Sequence, residues 1–565
     1  MSATPTPFDA DRPGPRPAEP GARTPLQRLY RRDLAAYPAT GPRMAYLAIV
    51  VVTTVVLYYM LYIQYAVATS IITHFDMTYR YFVWVSVIGN AVGAFASLVA
   101  GLADRWGRAN MVVYGLLAAS LLVFLGLPNA GGKTTYLVLF ALVSVVEGIV
   151  LVATPALIRD FSPQLGRATA MGAWTMGPVV GSLVVTTVTS QTLDTSSWQD
   201  ELRYSALAGL AVFLVAIVAL RELSPALRDQ IMVSLRDRAL VEARAKGIDP
   251  RALARGGQWR QMLRPDIAGS GLAVSLFLLL YFAAVGNFVV YFATTYGYSE
   301  QRANAVANWY WAANAVALVV VGLLSDRLKV RKPFMAAGAV GSIVVTALFA
   351  TRATHPETGY YTFAWLFVGI GVFSGVAYGP WMAGFTETVE KHNPAATATG
   401  LAVWGWTIRV VVAVSTAFIP VLVTSVTPLV DHGPQVTAAQ RQAAPALAVV
   451  SAHPQIFAEL GKYPPGRAPA DVTARAVQEV GPAGLATVQK AGPQLAVLQK
   501  YGTKVQKAAH DGPGQWRTWW WICVGGQVLF LPFVFLMAGR WSPRRAREDA
   551  ALHEAAVARE LASLG

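Results

Sequence analysis

The chain is 565 residues long, 55% hydrophobic and only 14% charged, with a mean hydropathy of +0.44, and soluble domains of that size are not so poor in charge. Net charge is +15, but the basic residues collect in the two termini and on alternate loops between apolar runs, which is the pattern of membrane topology and argues against nucleic acid as a partner. The one cysteine, Cys523, excludes an intrachain disulfide, a CxxC metal site and a redox pair.

Residues 1–43 are polar, rich in proline and arginine, and lack the apolar core and cleavage site of a secretory signal. A disordered cytoplasmic tail is expected there. Apolar runs then fall at about 44–73, 80–102, 111–128, 135–158, 165–190, 204–221, 267–296, 303–324, 334–351, 361–386, 395–427 and 516–539. Each run can cross ~30 Å of hydrocarbon as a helix, so the sequence predicts an all-α membrane protein with twelve transmembrane helices. An even count puts both termini on one side, and their arginines put that side in the cytoplasm. A multi-pass protein of the cytoplasmic (inner) membrane follows.

Residues 44–221 are expected to form one six-helix bundle and residues 266–540 a second. Residues 222–265 join them on the inside, and LRDQIMVSLRDRALVEARAKG within them reads either as an amphipathic basic helix on the anionic leaflet or as a plain tether. Residues 428–515 are inserted outside, between helices 11 and 12, and are expected to form short helices broken at Gly-Pro pairs. Residues 541–565 make a second cytoplasmic tail.

The halves echo one another. AGLADRWGR at 100–108 returns as GLLSDRLKV at 322–330, with Asp104 and Asp326 222 positions apart, and ATAMG at 168–172 returns as ATATG at 396–400. Two echoes at nearly one offset imply a duplicated six-helix unit.

On these residues the chain resembles the major facilitator superfamily, whose loop between helices 2 and 3 carries G-x-L-a-D-R-x-G-R. Gly101, Leu102, Asp104, Arg105, Gly107 and Arg108 match, and alanine replaces the leading glycine at Ala100. The second copy has Lys329 where glycine is usual and Val330 where arginine is usual. The resemblance implies two pseudo-symmetric bundles, with helices 1, 4, 7 and 10 around a central cavity. It also implies a gate latch in the charged hairpins: Asp104 facing the N-terminus of helix 11, Arg105 and Arg108 with Asp160 at the end of helix 4, and Asp326 and Arg327 with Glu387 in the second half.

Two charges lie at half depth. Glu147 sits about 11 residues into helix 4 from its inner end, or ~16 Å, and Arg409 about 14 residues into helix 11, or ~21 Å. A charge there costs at least about 2.5–3.5 kcal/mol, so its retention suggests function, although packing against a polar neighbour is the other reading. Glu147 is the candidate proton carrier, since a carboxyl can take up and release a proton as water access alternates. Arg409 stays charged and offers a planar fork to carboxylate or phosphate, which makes it the candidate anchor for an anionic substrate. Tyr62 and Tyr65 on helix 1, Asn287 and Tyr291 on helix 7 and Trp406 beside Arg409 are candidate cavity walls. Tyrosines at helix ends also serve as interfacial anchors.

MGPVVGS at 176–182 resembles the glycine-proline motif of proton-coupled drug exporters, but Ser144 stands where those exporters carry an arginine. GLPNAGGKTT at 126–135 is not a phosphate loop: five residues rather than four separate Gly126 from Gly132, and it follows a helix. No catalytic motif and no metal-spaced His or Cys cluster is present, so neither an enzyme nor a cofactor is expected. The sequence points to a monomeric secondary transporter of a small organic solute, leaning to an anion and coupled to protons. A multidrug exporter and a non-transporting membrane receptor are the alternatives.

Overall fold

A computed structural model describes residues 30–98, 106–162, 167–225, 227–228, 258–393, 397–464 and 467–564. The first bundle holds α1 (Thr40–Ala66), continued past Val67 by α2 (Ala68–His74), then α3 (Tyr79–Leu98), α4 (Arg108–Leu121), α5 (Lys133–Phe161), α6 (Arg167–Thr175), α7 (Gly177–Thr192) and α8 (Trp198–Ala219). After the short α9 (Gln258–Met262), the second bundle holds α10 (Ser270–Phe277), α11 (Leu279–Tyr296), α12 (Glu300–Leu328), α13 (Lys332–Arg352), α14 (Tyr360–His392) and α15 (Thr397–Leu422). The insertion folds as α16 (Val426–Gln442), α17 (Ala444–Ala452), α18 (Pro454–Leu460), α19 (Ala470–Lys490) and α20 (Gly492–Val497), and α21 (Thr503–Leu536) completes the bundle before α22 (Pro543–Leu564). Eleven stretches among the described residues are long and apolar enough to span a membrane, and α3, with 20 residues, occupies the remaining predicted position.

Glycine lets the helices of each bundle approach backbone to backbone, the usual device where lipid offers no hydrophobic drive to association. A Cβ on Gly148 of α5 would stand 2.3 Å from the Gly93 carbonyl oxygen of α3, and one on Gly338 of α13 would stand 2.4 Å from the Ala377 nitrogen of α14. The MGPVVGS segment is the break between α6 and α7, and its Gly177 and Gly181 lie against Thr54 and Tyr58 of α1. The bundles meet along two equivalent seams, α7 on α12 and α3 on α15, with α1 touching α11 between them. Duplication shows again in Pro155 inside α5 and Pro380 inside α14.

Two expectations are corrected. The last part of the N-terminal tail is ordered: β1 (Asp33–Leu34) pairs in parallel with β2 (Glu222–Leu223) just after α8. Arg32, 1% exposed, holds this clasp. Its guanidinium donates to the carbonyls of Ala216, Ile217 and Leu220 and to Asn110 Oδ1, satisfying the carbonyls that end α8. The insertion is less broken than its Gly-Pro pairs predict. Gly481, at φ 78, does kink α19, but Pro434 and Pro513 lie inside helices, and the final span starts at Thr503 rather than near 516. Most of the linker, read as either an amphipathic helix or a plain tether, lies outside the described residues.

Candidate functional site

Glu147 projects from α5, buried at 9% exposure, and Arg409 projects half-buried from α15 in the opposite bundle. Their charges act on one another, and both act on the Tyr58 hydroxyl of α1 together with Tyr378 of α14. Tyr62 lies within the fields of Glu147, Tyr58, Tyr65 and Tyr281 of α11. Tyr65 faces Ser86, Gln64 and Asn90, and Tyr281 faces Ser182 of α7. A band of hydroxyls thus runs from one bundle to the other around an acid and a base, with the tyrosine bodies partly exposed as chamber walls would be. Beside it, Tyr62, Ser182, Thr186, Asn304 and Trp311 line a small pocket.

The two bundles are bonded together on the face that bears the insertion. Glu300, at the start of α12, accepts hydrogen bonds from Thr69 Oγ1 (2.5 Å), Ser70 N (2.9 Å) and Ser70 Oγ (2.6 Å) at the end of α1–α2. Gln301 donates to Asp194 Oδ2 at 2.6 Å, and Asn304 to the Ala66 carbonyl at 2.9 Å. Thr186 Oγ1 donates to Asn308 Oδ1 at 2.5 Å. Every one of these bonds joins the first bundle to the second, and little in the sequence marks them, since polar residues near helix ends are common.

Several predicted residues lie elsewhere. Asn287 is drawn into this closure, accepting from the Tyr79 hydroxyl at 2.8 Å. Tyr291 is fully buried within the second bundle, ringed by Phe349, Trp516 and Trp520 rather than facing the chamber. Trp406, 65% exposed, belongs to a stripe with Val410, Val414, Phe418 and Val421 that continues past the closed end of the chamber, so it faces outward. Three residues make about 300° of turn, so Trp406 lies only about 60° round the helix from Arg409, and the helical period alone did not foretell its exposure.

On the face that bears the termini, Asp104 and Arg105 lie outside the described residues, as do Ala395 and Ala396 at the start of helix 11. Arg108 Nη1 reaches both Asp160 oxygens, at 2.8 and 3.0 Å. In the second half Arg331, not Arg327, makes the equivalent bonds: 2.6 Å to Asp326 and 3.1 Å to Glu387. Arg327 is exposed. The shift follows from the backbone. Gly107 and Lys329, at matching positions of the two halves, both take positive φ, 90 and 56, but their ψ angles of 131 and 29 differ, and the basic residue falls one position later after the second. Glu222 of the clasp accepts from the Arg108 N–H at 2.7 Å. Burial pushes the Glu222 carboxyl above the usual carboxylate range, against the pull of the Arg108 N–H and the Arg228 guanidinium.

Two bundles of long apolar helices, joined along two seams and carrying an acid and a base on facing elements, have the architecture of a multi-pass membrane transporter. Residues 50–435 match the Major Facilitator Superfamily, and the chain belongs to that family. The probable nitrate/nitrite transporter NarK2 of Mycobacterium tuberculosis is 27% identical over 311 residues, covering 54% of this chain and 70% of its own. Among solved structures, a bacterial homologue of the human lysosomal transporter Spinster, in an inward-facing and occupied conformation, superposes with TM-score 0.56 at 15% identity over 88% of this chain and 97% of that one. The xylose transporter XylE from E. coli, inward open, gives TM-score 0.50 at 13% identity over 67% and 89%. These two likenesses carry the fold alone.

Proposed function

We propose that this transporter moves a small anion together with protons across the cytoplasmic membrane by alternating access, as a monomer with both termini inside. Arg409 anchors the anion, Glu147 carries the proton, and Tyr62 and Tyr65 with Tyr58, Tyr281 and Tyr378 form the walls. The observation that carries the reading is the attraction between Glu147 and Arg409 across the two bundles: an anion arriving at Arg409 competes with the Glu147 carboxylate, and protonating Glu147 frees Arg409 to accept it. Substrate and proton then load together. A nitrate/nitrite transporter among the relatives supports an anion no larger than a simple carboxylate, nitrate or nitrite. Asp104, Arg105, Arg108 and Asp160 on one half, with Asp326, Arg331 and Glu387 on the other, are assigned to the inner gate.

The test is uptake of nitrate, nitrite and short carboxylates into proteoliposomes with and without an inward proton gradient. Glu147→Gln should lose accumulation driven by the gradient yet keep exchange, and Arg409→Ala should lose both by ten-fold or more. Equal accumulation by wild type and Glu147→Gln would remove Glu147 as carrier. Binding without flux would favour a receptor. Extrusion of cationic dyes would favour a multidrug exporter, the reading that the MGPVVGS break supports.

A further inference from the structure

The insertion reaches back across the seam between the bundles. It is fixed to the second bundle at its root, where Gln515 of α21 accepts from the Ser425 N–H at 2.9 Å and bonds Thr424 at 3.1 Å. From there α16 packs on α11 of its own bundle and also on α2 and α3 of the other. In its second turn Asp431 accepts a hydrogen bond of 2.7 Å from the backbone N–H of Tyr79. Tyr79 is the first residue of α3, so its N–H has no partner within the helix, and a carboxylate at a helix N-terminus is electrostatically favoured. The same residue, 1% exposed, donates its hydroxyl to Asn287 of α11. The second bundle therefore grips the head of α3 twice, once by side chain within the bundles and once by backbone from the insertion.

We infer that α16 is a strap of the gate: it rides with the second bundle and locks the insertion face shut by seating Asp431 on the head of α3. Opening that face carries Tyr79 and Asp431 apart, because the two belong to different bundles, so the bond exists only in the closed form and biases the equilibrium toward it. This assigns the insertion a conformational role that neither its composition nor the chamber requires, and it holds whatever the substrate and coupling ion are.

The test reads gate opening without substrate. A cysteine placed at the buried Ser182, on the wall of the small pocket between the bundles, in a Cys523→Ser background is labelled by a membrane-impermeant maleimide added to the insertion face. Asp431→Ala should raise the labelling rate about 3- to 10-fold, the range expected for one lost hydrogen bond. Asp431→Asn retains an acceptor oxygen and should return the rate most of the way to that of the parent, a rescue that general loosening of the insertion would not show. Asp431→Ser, too short to reach Tyr79, stands in if the alanine variant does not reach the membrane folded. An unchanged rate in folded Asp431→Ala or Asp431→Ser, or a rate in Asp431→Asn as fast as in those variants, overturns the inference.

Discussion

Gly107 and Lys329 stand 222 positions apart and both take positive φ, yet only one is glycine. The difference lies in what sits above each turn. A Cβ on Gly107 would fall 2.3 Å from Glu222 Oε1 of the clasp, so both φ and space exclude a side chain. Lys329 is exposed and bears only the conformational cost of the left-handed region. Lys329→Gly should therefore stabilise the protein by about 0.5–1 kcal/mol, raising Tm by about 1–2 °C in detergent, and Gly107→Ala should lower it by more. Equal and opposite small shifts from the two changes would contradict this account. At this scale the sequence was a partial guide. Arg108 and Asp160 are found side by side, but Arg331 was passed over because the motif set expectations on Arg327, and the register of a left-handed turn is not visible in a string of letters. Arg32 was hidden for another reason: it lies in a stretch whose composition reads as disorder, and its partners are backbone carbonyls, which carry no side-chain signature.

Among elements, the tightest joints are those where backbone meets backbone. α3 and α5 close around Gly93 and Gly148, and a Cβ at either meets main-chain carbonyl oxygen that no rotamer change can clear. Gly148→Ala is expected to force the two helices apart, at about 1–3 kcal/mol, and to move Glu147, one residue earlier on the same helix. The measurements are the Tm and uptake of the purified variant, and a fully stable, fully active Gly148→Ala would show that the joint yields. A small residue beside Glu147 is legible in the sequence, whereas which helix passes over it is not. The insertion illustrates the converse. Its Gly-Pro pairs predicted breaks, but an interior proline can bend a helix without ending it, and Pro434 and Pro513 lie within continuous helices.

Over the whole molecule, the two halves behave as levers joined by two seams, and the closed face is fastened by polar side chains brought from opposite ends of the sequence. Glu300 is one of these, with three donors from α2. Hydrogen bonds to a charged group contribute about 1.5–3 kcal/mol each, and Glu300→Ala removes all three, so the variant should populate the open form at least ten-fold more. Spin labels placed on the insertion-side ends of α7 and α12 would report this as a longer distance population, and an unchanged distribution would mean that Asn304 and Asn308 suffice for closure.

The sequence by itself determined that this chain is an all-helical membrane protein of two duplicated halves, because hydrocarbon demands long apolar helices whose length, count and charge bias are written locally. It also determined the depth of Glu147 and Arg409, which follows from counting 1.5 Å per residue along a helix. Only the tertiary structure decided that these two charges act on one another, that Tyr58, Tyr281 and Tyr378 join them while Tyr291 and Trp406 turn away, and that Glu300, Tyr79 and Asp431 fasten one face. Those facts depend on how each helix is rotated about its axis and which helix it meets, and in lipid, where both sides of a helix are apolar, hydrophobic periodicity does not record that rotation.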